Sequence, residues 1–404
     1  MLQPSHADKS PWLVWVYPVN IFNAFNAAPR LEVTKEMRNL GWKVDLIACG
    51  PNGTHVVQGV DVLCFSWPDF YFIRHLFFHI RIIGYILQHW KEIDAVLFTQ
   101  ISAPWLFPLR LLNPFSKRHP LFVMDTRTVP MEINEKSTLK DKLRGRFYFL
   151  MNSFANVFAD GQTAITQRMA NLLHIPPQKL WGTWASGVNA EKFKFAAQSR
   201  HWPAPQDPVQ LIYIGTLNYE RNLMTFSKAV MEANRQGMNF SLLLYGEGSE
   251  MQDLQAFAGQ TNGTIQVFAS VQHDQVPKIL AHAHVGVLPF PDEEKYRVSS
   301  PIKLFEYMGA GLSILATKIV CHTDVIENGT YVFWAENSDL DGMLNALKKI
   351  WQEKAALPEL GMKAQIAAQD WTYIASAKRL HTALQFGIEL HQHRSGKAHS
   401  RPAY

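Results

Sequence analysis

One short segment, residues 299–311, combines residue types that could bind a charged ligand. Ser300 suits a helix N-cap and Pro301 the first helical position, so a helix is predicted to begin here. Its N-terminus would present free N–H groups, which favour phosphate. Lys303 and Glu306 share one helix face, where a carboxylate can accept hydrogen bonds from ribose hydroxyls. We interpret the segment as a nucleotide site; the alternative is an amphipathic helix with a Lys–Glu pair on its wet face.

Two earlier segments carry the small and cationic residues that a diphosphate would need. A predicted strand ends at Gly215, where a small residue lets the backbone approach a phosphate, and Arg221 follows as a cation. A turn glycine followed by a surface arginine is an equally good interpretation. Gly246 and Gly248 form a G-x-G pair after the next strand, a weak pattern that is usually a tight turn.

Short apolar runs alternate with helical stretches along the chain, which is typical of parallel sheets covered by helices on both faces. The predicted strands lie at residues 12–17, 43–48, 95–99, 121–124, 156–158 and 180–184, and then at 210–214, 241–245, 265–268, 285–288, 313–316 and 331–334. Residues 196–208 contain three prolines and no periodic pattern, so they are the predicted linker. The sequence thus predicts two doubly wound α/β domains, residues 1–195 and 209–370, facing each other across a cleft in which ligands bind.

The composition argues against several classes of protein. The 404 residues are enough for two domains, and 39 Lys and Arg against 34 Asp and Glu leave a charge of +5, too small to predict nucleic acid as a partner. Three distant cysteines exclude a disulfide scaffold and fit a reducing cytoplasm. The 16 histidines are scattered and no D-x-D pair ends a strand, so we expect no metal and no cofactor. No G-x-G-x-x-G follows the first strand, which argues against a nicotinamide dehydrogenase.

An aromatic-rich stretch, residues 65–90, is interrupted by arginines and histidines. No segment contains the run of about 18 uncharged apolar residues that a membrane-spanning helix requires. On a helical wheel, residues 72–90 separate a half with arginine and histidine from an apolar half, as in a helix lying on a membrane or packed on its own sheet. Residues 104–118 and 140–149 also mix aromatic and basic side chains. We expect these three segments to form a surface for an anionic membrane.

Several segments, taken in order, resemble the GT-B glycosyltransferases, in particular family 4 of retaining enzymes that use nucleotide sugars. The resemblance lies in residues 187–193, 213–217, 271–289, 301–311 and 371–375, within a similar region that covers residues 180–387. It implies a first domain that binds the acceptor, a second that binds the nucleotide sugar, and a C-terminal helix at about residues 371–390 that crosses back to the first domain. Two positions depart from the family: Val298 replaces the first acid of an E-x7-E pattern, and Thr216 replaces a second cation.

The resemblance implies a role for each candidate residue. Arg221 would bind the donor diphosphate and Glu306 the nucleotide ribose, and both are catalytic candidates together with Asp125. The implied donor-binding residues are Gly215, Thr216, Arg221, Gly246, Gly248, Ser299, Ser300, Ile302, Lys303, Leu304 and Glu306. Asp125 and Arg127 occupy the acceptor side of the first domain; for Asp125, a strand-end aspartate that caps the following turn is the alternative.

These expectations define the predicted function. The protein is expected to move a sugar from a nucleotide-diphosphate sugar to a saccharide acceptor, with retention and without a metal. The three aromatic and basic segments favour a lipid-linked acceptor, used in the synthesis of a cell-surface polysaccharide or glycolipid at the cytoplasmic face of a membrane. A sugar-nucleotide epimerase of the same fold and a catalytically idle scaffold subunit are the alternatives, and Val298 favours the second of these.

Overall fold

The computed structural model of the protein describes residues 10–22, 27–66, 71–116, 118–129 and 139–399. Their contacts divide the chain into two compact units: Met1–Ala185 with Tyr373–Tyr404, and Ser186–Thr372. Each unit is built on its own sheet, on which helices pack. Two parts of the predicted membrane segments, residues 67–70 and residue 117, lie outside the described residues.

The first unit contains an eight-stranded sheet in its described part. Its strands are β1 Trp12–Asn20, β2 Lys43–Cys49, β3 Gly53–Val57, β4 Val60–Phe65, β5 Ala95–Phe98, β6 Leu121–Thr126, β7 Gly161–Ala164 and β8 Leu180–Thr183. They follow the order β3-β4-β2-β1-β5-β6-β7-β8, parallel except for the antiparallel pair β3–β4. Its helices are α1 Ala28–Asn39, α2 Tyr71–Gln88, α3 Ala103–Leu106, α4 Leu139–Phe158 and α5 Gln167–Leu172, with a 3₁₀ helix at Phe107–Phe115 and a C-terminal helix at Tyr373–His399.

Helices cover both faces of this sheet, which explains why its strands are apolar at nearly every position. In β1, Leu13 and Trp15 contribute to one core, and Val14 and Val16 contribute to the other. Helix α1 and the C-terminal helix pack in the first of these cores, whereas α2, α3 and α4 pack in the second. The C-terminal helix therefore belongs to the first unit, as the resemblance implies. Trp42 Nε1 donates to His381 Nδ1 at 2.8 Å and so joins this helix to the rest of the unit.

The second unit contains a six-stranded, fully parallel sheet. Its strands are β9 Val209–Ile214, β10 Phe240–Tyr245, β11 Ile265–Phe268, β12 Val285–Leu288, β13 Ser313–Thr317 and β14 Val332–Ala335, in the order β11-β10-β9-β12-β13-β14. Its helices are α6 Ala190–Ser199, α7 Leu223–Arg235, α8 Met251–Ala258, α9 Val276–Leu280, α10 Glu294–Arg297, α11 Ile302–Gly309, α12 Val320–Ile326, α13 Leu340–Gln352 and α14 Leu357–Ala367, so that the C-terminal helix is α15.

The contact boundary between the units falls after Ala185, whereas the sequence placed the end of the first domain at residue 195. Helix α6 lies with the second unit because Phe193 and Ala196 are buried in its core. The buried guanidinium of Arg200, inside the predicted linker, donates to the carbonyl oxygens of Leu280, Ala283 and Gly311. These hydrogen bonds tie the start of the proline-containing segment to the second unit.

Two local predictions for the first unit need correction. The predicted strand at residues 156–158 is wrong, because this segment is the last turn of α4, whose Met151 and Ala155 face the core; the strand is β7. The hairpin of β3 and β4 was not predicted. Its turn residues, Gln58 and Gly59, both have positive φ, but Gln is an unusual residue there, and most of β3 is exposed.

Candidate functional site

The candidate donor residues of the second unit lie along the carboxyl edge of its sheet. Gly215 follows β9, Gly246 and Gly248 follow β10, and the entry to α11 follows β12. Because β10, β9 and β12 are neighbouring parallel strands, the loops after them emerge at the same edge. The sheet order thus gathers segments that are far apart in sequence.

The glycines of this edge allow two loops to pack against each other. A Cβ at Gly246, whose φ is +152°, would overlap the carbonyl oxygen of Gly215, and one at Gly248 would overlap the Leu217 carbonyl. The loops are also joined by hydrogen bonds, from the Gly215 N–H to the Tyr245 carbonyl and from the Leu217 N–H to the Glu247 carbonyl, both 2.9 Å. The G-x-G pair therefore has a structural role as a tight turn, which was one of its two interpretations.

Arg221 is held in a defined orientation by side chains that carry no negative charge. It ends a 3₁₀ turn, Tyr219–Arg221, and its Nε donates to Thr216 Oγ1 at 3.2 Å. The guanidinium carbon lies 4.9 Å from the ring centre of Phe290 and 5.3 Å from that of Tyr296. Aromatic faces attract a cation without neutralising it, so this half-buried group is suited to binding an anion.

Helix α11 begins one residue later than predicted. It starts at Ile302 with Pro301 at the N-cap position, where no side chain caps the helix. The predicted N-cap, Ser300, is wrong because its hydroxyl instead accepts the Ser186 N–H at 3.0 Å, while Ser299 Oγ donates to the Tyr296 carbonyl at 2.9 Å. The N-terminal turn of α11 thus keeps the property expected of it, since N–H groups that no side chain caps can bind an anion.

Behind this turn, the carboxylate of Glu306 is held between two basic side chains. Lys303 Nζ donates to Glu306 Oε2 at 2.7 Å, and His273 Nε2 is 3.1 Å from Oε1. The Glu306 side chain is only 2% exposed. Burial alone would raise its pKa, but the charge of Lys303 and the hydrogen bonds outweigh burial and lower the pKa to about 2. The structure therefore buries an ionised carboxylate, and a different basic side chain contacts each of its two oxygens.

His273 was not found from the sequence. It lies five residues after β11, in a segment whose spacing indicates no chemistry, and it reaches Glu306 only through the fold. Tyr307 was missed for a similar reason: its hydroxyl accepts the Ile214 N–H at 3.0 Å and so ties α11 to the end of β9. The sequence gives only an indirect signal for His273: a carboxylate predicted near the edge of the sheet, Glu306, needs a partner, and a histidine is one candidate.

The position where the related family has its first acid is apolar. Val298 is 5% exposed and follows α10. Of the three acids that precede it, Asp292 forms a two-pronged pair with Arg297 at 2.8 Å and Glu293 pairs with Lys295 at 2.9 Å, whereas Glu294 is exposed at the start of α10. The remaining predicted donor residues, Ile302 and Leu304, occupy the first turn of α11 with partly and fully buried side chains.

In the first unit, Asp125 and Arg127 are committed to internal contacts. Asp125, 1% exposed near the end of β6, accepts from Thr163 Oγ1 at 2.7 Å and from Trp184 Nε1 at 3.0 Å. Burial raises its pKa, against the opposing charge of Arg127. The Arg127 guanidinium lies 3.6 Å from the Trp184 ring centre and donates to the Trp184 carbonyl. These two residues thus form a cluster with Thr163 and Trp184 inside the first unit.

Within the described ranges, no group of three or more His, Cys, Asp or Glu side chains is arranged to hold a metal ion. No helix in the same part of the chain is long and apolar enough to cross a membrane.

Part of the chain is similar in sequence to known glycosyltransferases. Residues 208–353 match the family of glycosyl transferases group 1. Glycogen synthase of Mycobacterium tuberculosis is 24% identical over 200 residues, which are 48% of this chain and 45% of that protein. The chain thus spans about half the length of the curated relatives it matches.

Solved structures resemble the whole chain in fold at low sequence identity. Sucrose-phosphate synthase from Thermosynechococcus elongatus has a TM-score of 0.70 at 13% identity, over 96% of this chain and 100% of that one. HepE from Anabaena, solved in complex with UDP and glucose, has a TM-score of 0.68 at 12% identity, over 92% and 99%. The predicted fold class is confirmed, because the chain has the α/β fold of solved GT-B glycosyltransferases, and its residues 208–353 match the glycosyl transferases group 1 family.

Proposed function

We propose that the protein is a glycosyltransferase that uses a nucleotide-diphosphate sugar as donor. The observation that carries this proposal is the buried, ionised Glu306 held by Lys303 and His273 behind the uncapped N-terminus of α11. A carboxylate suits ribose hydroxyls, and the helix end suits a diphosphate. The match to glycosyl transferases group 1 and the likeness to a protein solved with UDP and glucose support the same donor class.

The proposed roles divide the donor between the loops of the sheet edge. Glu306 accepts from the ribose hydroxyls, while Arg221 and Lys303 provide positive charge for the diphosphate. The backbone around the helix entry and the two glycine loops contact the phosphates; these residues are Gly215, Thr216, Gly246, Gly248, Ser299, Ser300, Ile302 and Leu304. Asp125 and Arg127 remain the proposed acceptor-side residues, and since Asp125 is buried, it would act on the acceptor indirectly, through the position of Trp184.

The proposed reaction breaks the bond between sugar C1 and the diphosphate oxygen. The acceptor hydroxyl oxygen bonds to C1 from the face that the diphosphate leaves, so the configuration is retained, and the hydroxyl proton passes to the departing diphosphate. Negative charge gathers on that leaving group, and preorganised positive groups at its oxygens lower the barrier. Arg221, Lys303 and the N-terminus of α11 serve this purpose, and we expect transfer to proceed without a metal.

For the acceptor, we propose a saccharide carried on a lipid, used to build a cell-surface polysaccharide or glycolipid at the cytoplasmic face of a membrane. The support comes from the first unit, where large apolar side chains such as Phe77, Leu111 and Phe115 are exposed. A single exposed apolar residue is ordinary, whereas many on adjacent elements indicate an interaction surface. An acceptor with a lipid tail places the reaction at such a surface.

A catalytically idle scaffold subunit is the second candidate, because Val298 is buried and two of the three acids that precede it, Asp292 and Glu293, pair with basic residues. Turnover distinguishes the candidates. Hydrolysis or transfer of a nucleotide sugar supports the glycosyltransferase, binding without turnover supports the scaffold, and conversion to an isomeric sugar supports an epimerase of the same fold.

The donor site is tested by thermal unfolding with a panel of nucleoside diphosphates and their sugars. A ligand at 100 times its dissociation constant adds about 2.7 kcal/mol of stability, which gives a clear shift. Arg221→Ala and Glu306→Gln should each weaken binding of the stabilising ligand about tenfold or more. Arg235→Ala and Glu359→Gln, which alter exposed ion pairs on α7 and α14, are the matched controls. Unchanged affinity in both site variants would refute the proposed placement of the donor.

A further inference from the structure

Three helical elements of the first unit, namely α2, α3 with the 3₁₀ helix that continues it, and α4, form one continuous layer on one face of its sheet. Their inward side chains share a single core: Phe78 and Ile82 of α2, Ala103 and Leu106 of α3, Leu109 of the following 3₁₀ helix, and Met151 and Ala155 of α4. Neighbours within the layer are also in direct contact. His79 Nε2 is 2.9 Å from Ser102 Oγ, and the rings of Phe107 and Phe158 are 6.3 Å apart. The outward sides of these elements therefore form one surface.

This outward surface is apolar along all three elements. Its exposed large hydrophobic residues are Ile73, Leu76, Phe77, Ile80 and Leu87 on α2, Leu111, Leu112 and Phe115 on the 3₁₀ helix, and Leu139, Leu143, Phe149, Leu150, Phe154, Val157 and Phe158 on α4. We call this set the apolar face. Phe115 is 87% exposed and Leu111 74% exposed, so water surrounds most of these apolar side chains. Water-exposed apolar area on this scale indicates that the face has a partner.

The helical wheel of α2 is wrong about His79. It placed His79 on the polar half, but His79 is fully buried, with its Nδ1 2.6 Å from the His75 carbonyl and its ring stacked on Trp105. Burial lowers the pKa of His79 to about 4, so it is neutral at pH 7. Ile73, Phe77 and Ile80 face outward instead. The surface is therefore more apolar than the sequence suggested.

The charge around the apolar face identifies the class of partner. The segments Tyr71–Gln88, Ala103–Phe115 and Leu139–Phe158 contain one acidic residue, Asp141. They contain seven basic ones, Arg74, Arg81, Arg110, Lys140, Lys142, Arg144 and Arg146, of which Arg110 is paired with Asp160 just after α4. The whole chain is nearly balanced, with 39 basic and 34 acidic residues, so the excess is local. A second copy of the chain would bring the same positive charges and be repelled, whereas an anionic lipid surface is complementary.

We propose that the apolar face docks on an anionic bilayer by inserting its exposed hydrophobic side chains between the lipids, with the basic residues at the phosphate level. This proposal rests on the proposed function, since a lipid-linked acceptor lies in the same membrane. Because insertion removes apolar side chains from water, binding has a component that salt does not screen. Adsorption through charge alone would vanish at high salt.

Vesicle flotation of the full-length protein tests the proposal. Vesicles of phosphatidylcholine with and without phosphatidylglycerol are compared at low salt and at roughly 0.5 M salt, where charges more than a few Å apart are screened. The wild type should float with the anionic vesicles and keep a measurable part of its binding at high salt. Phe77→Ser combined with Ile80→Ser should reduce partitioning about tenfold or more, since each side chain contributes apolar area.

A control variant and a charge variant complete the test. Val56→Ser is the matched control, because Val56 is 71% exposed on β3 of the same unit but lies off the apolar face, and it should leave flotation unchanged. Lys142→Glu combined with Arg146→Glu should weaken binding at low salt and leave the high-salt remainder. Equal flotation of the Phe77/Ile80 variant and the wild type would overturn the proposal, as would flotation that only the charge variant affects.

A separate outcome would assign the face to a protein partner. Suppose that the wild type floats with none of the vesicles but forms a dimer that the Phe77/Ile80 variant does not form. The apolar face would then bind a second copy of the chain, and the bilayer proposal would be wrong. Nucleotide-sugar binding, measured without vesicles, should be the same in the Phe77/Ile80 variant and the wild type. Failure of the docking proposal is thereby distinguished from failure of the proposed donor site.

Discussion

At the scale of single residues, the second unit is defined by how it stabilises one buried carboxylate. Glu306 would be costly to bury alone, and Lys303 and His273 offset that cost by meeting one oxygen each. Lys303 is on the same helix, three residues away, and moves with Glu306. His273 comes from the loop between β11 and α9, so its hydrogen bond orients the carboxylate relative to the rest of the sheet edge. We therefore regard His273 as a positioning residue.

Replacing His273 should affect ligand binding more than folding. His273→Ala removes the hydrogen bond to Glu306 Oε1, and we expect affinity for the stabilising nucleoside diphosphate to fall about tenfold, because a hydrogen bond to a charged group contributes about 1.5–3 kcal/mol. His273→Gln, which keeps an N–H donor, should recover most of the loss. His282→Ala, at an exposed position of the same unit, is the control. Isothermal titration measures each affinity, and wild-type binding by His273→Ala would remove its positioning role.

At the scale of elements, the candidate site depends on how closely the loops after β9 and β10 approach each other. Gly246 and Gly248 leave no room for a side chain against the carbonyls of Gly215 and Leu217. The hydrogen bond from Ile214 to the Tyr307 hydroxyl then connects β9 to α11. The close packing of the two loops and the hydrogen bond to Tyr307 together set the position of the α11 N-terminus relative to Arg221.

Gly246→Ala should therefore destabilise the protein. The new Cβ overlaps the Gly215 carbonyl and φ is +152°, which L residues rarely adopt, so we expect a loss of about 2–4 kcal/mol in the free energy of unfolding. Gly259→Ala is the matched control, because Gly259 has φ of −58° and no neighbouring atom closer than 3.5 Å to its ideal Cβ. It should change stability by less than about 1 kcal/mol. Urea denaturation measures both, and equal stabilities would contradict the packing argument.

At the scale of the whole molecule, the chain is two folded units with its C-terminal helix returned to the first. Ala377, Leu380 and Leu384 of α15 are buried among residues of that unit, so the first core is completed only by the last element of the chain. The second unit, Ser186–Thr372, contains all the donor candidates within a continuous stretch. Stability of the first unit and binding by the second should therefore be separable.

Leu380→Ala tests that separation. Removing a fully buried leucine should destabilise the first unit by about 2–5 kcal/mol, because it deletes buried apolar surface and leaves a cavity. Nucleoside diphosphate affinity at a temperature where the protein stays folded should be unchanged. Phe386→Ala, at a 49% exposed position of the same helix, should cost far less. Parallel loss of stability and ligand affinity would show that the units are coupled.

The parts of this protein that the sequence by itself determined are the local ones. Alternating apolar strands and helices predicted two parallel α/β sheets, and the three-residue spacing of Lys303 and Glu306 placed both on one helix face. Such features depend on residues that are neighbours along the chain, where propensity and periodicity act directly.

The tertiary structure alone decided what required distant residues to meet. It brought His273 to Glu306 across 33 positions, used the Ser300 hydroxyl for Ser186 and so moved the start of α11. It also buried His79 on the inner side of α2 and left Ile73, Phe77 and Ile80 exposed on the outer side. In each case several local arrangements were compatible with the sequence. Which one forms depends on packing and hydrogen bonds between segments that only the folded chain brings within reach.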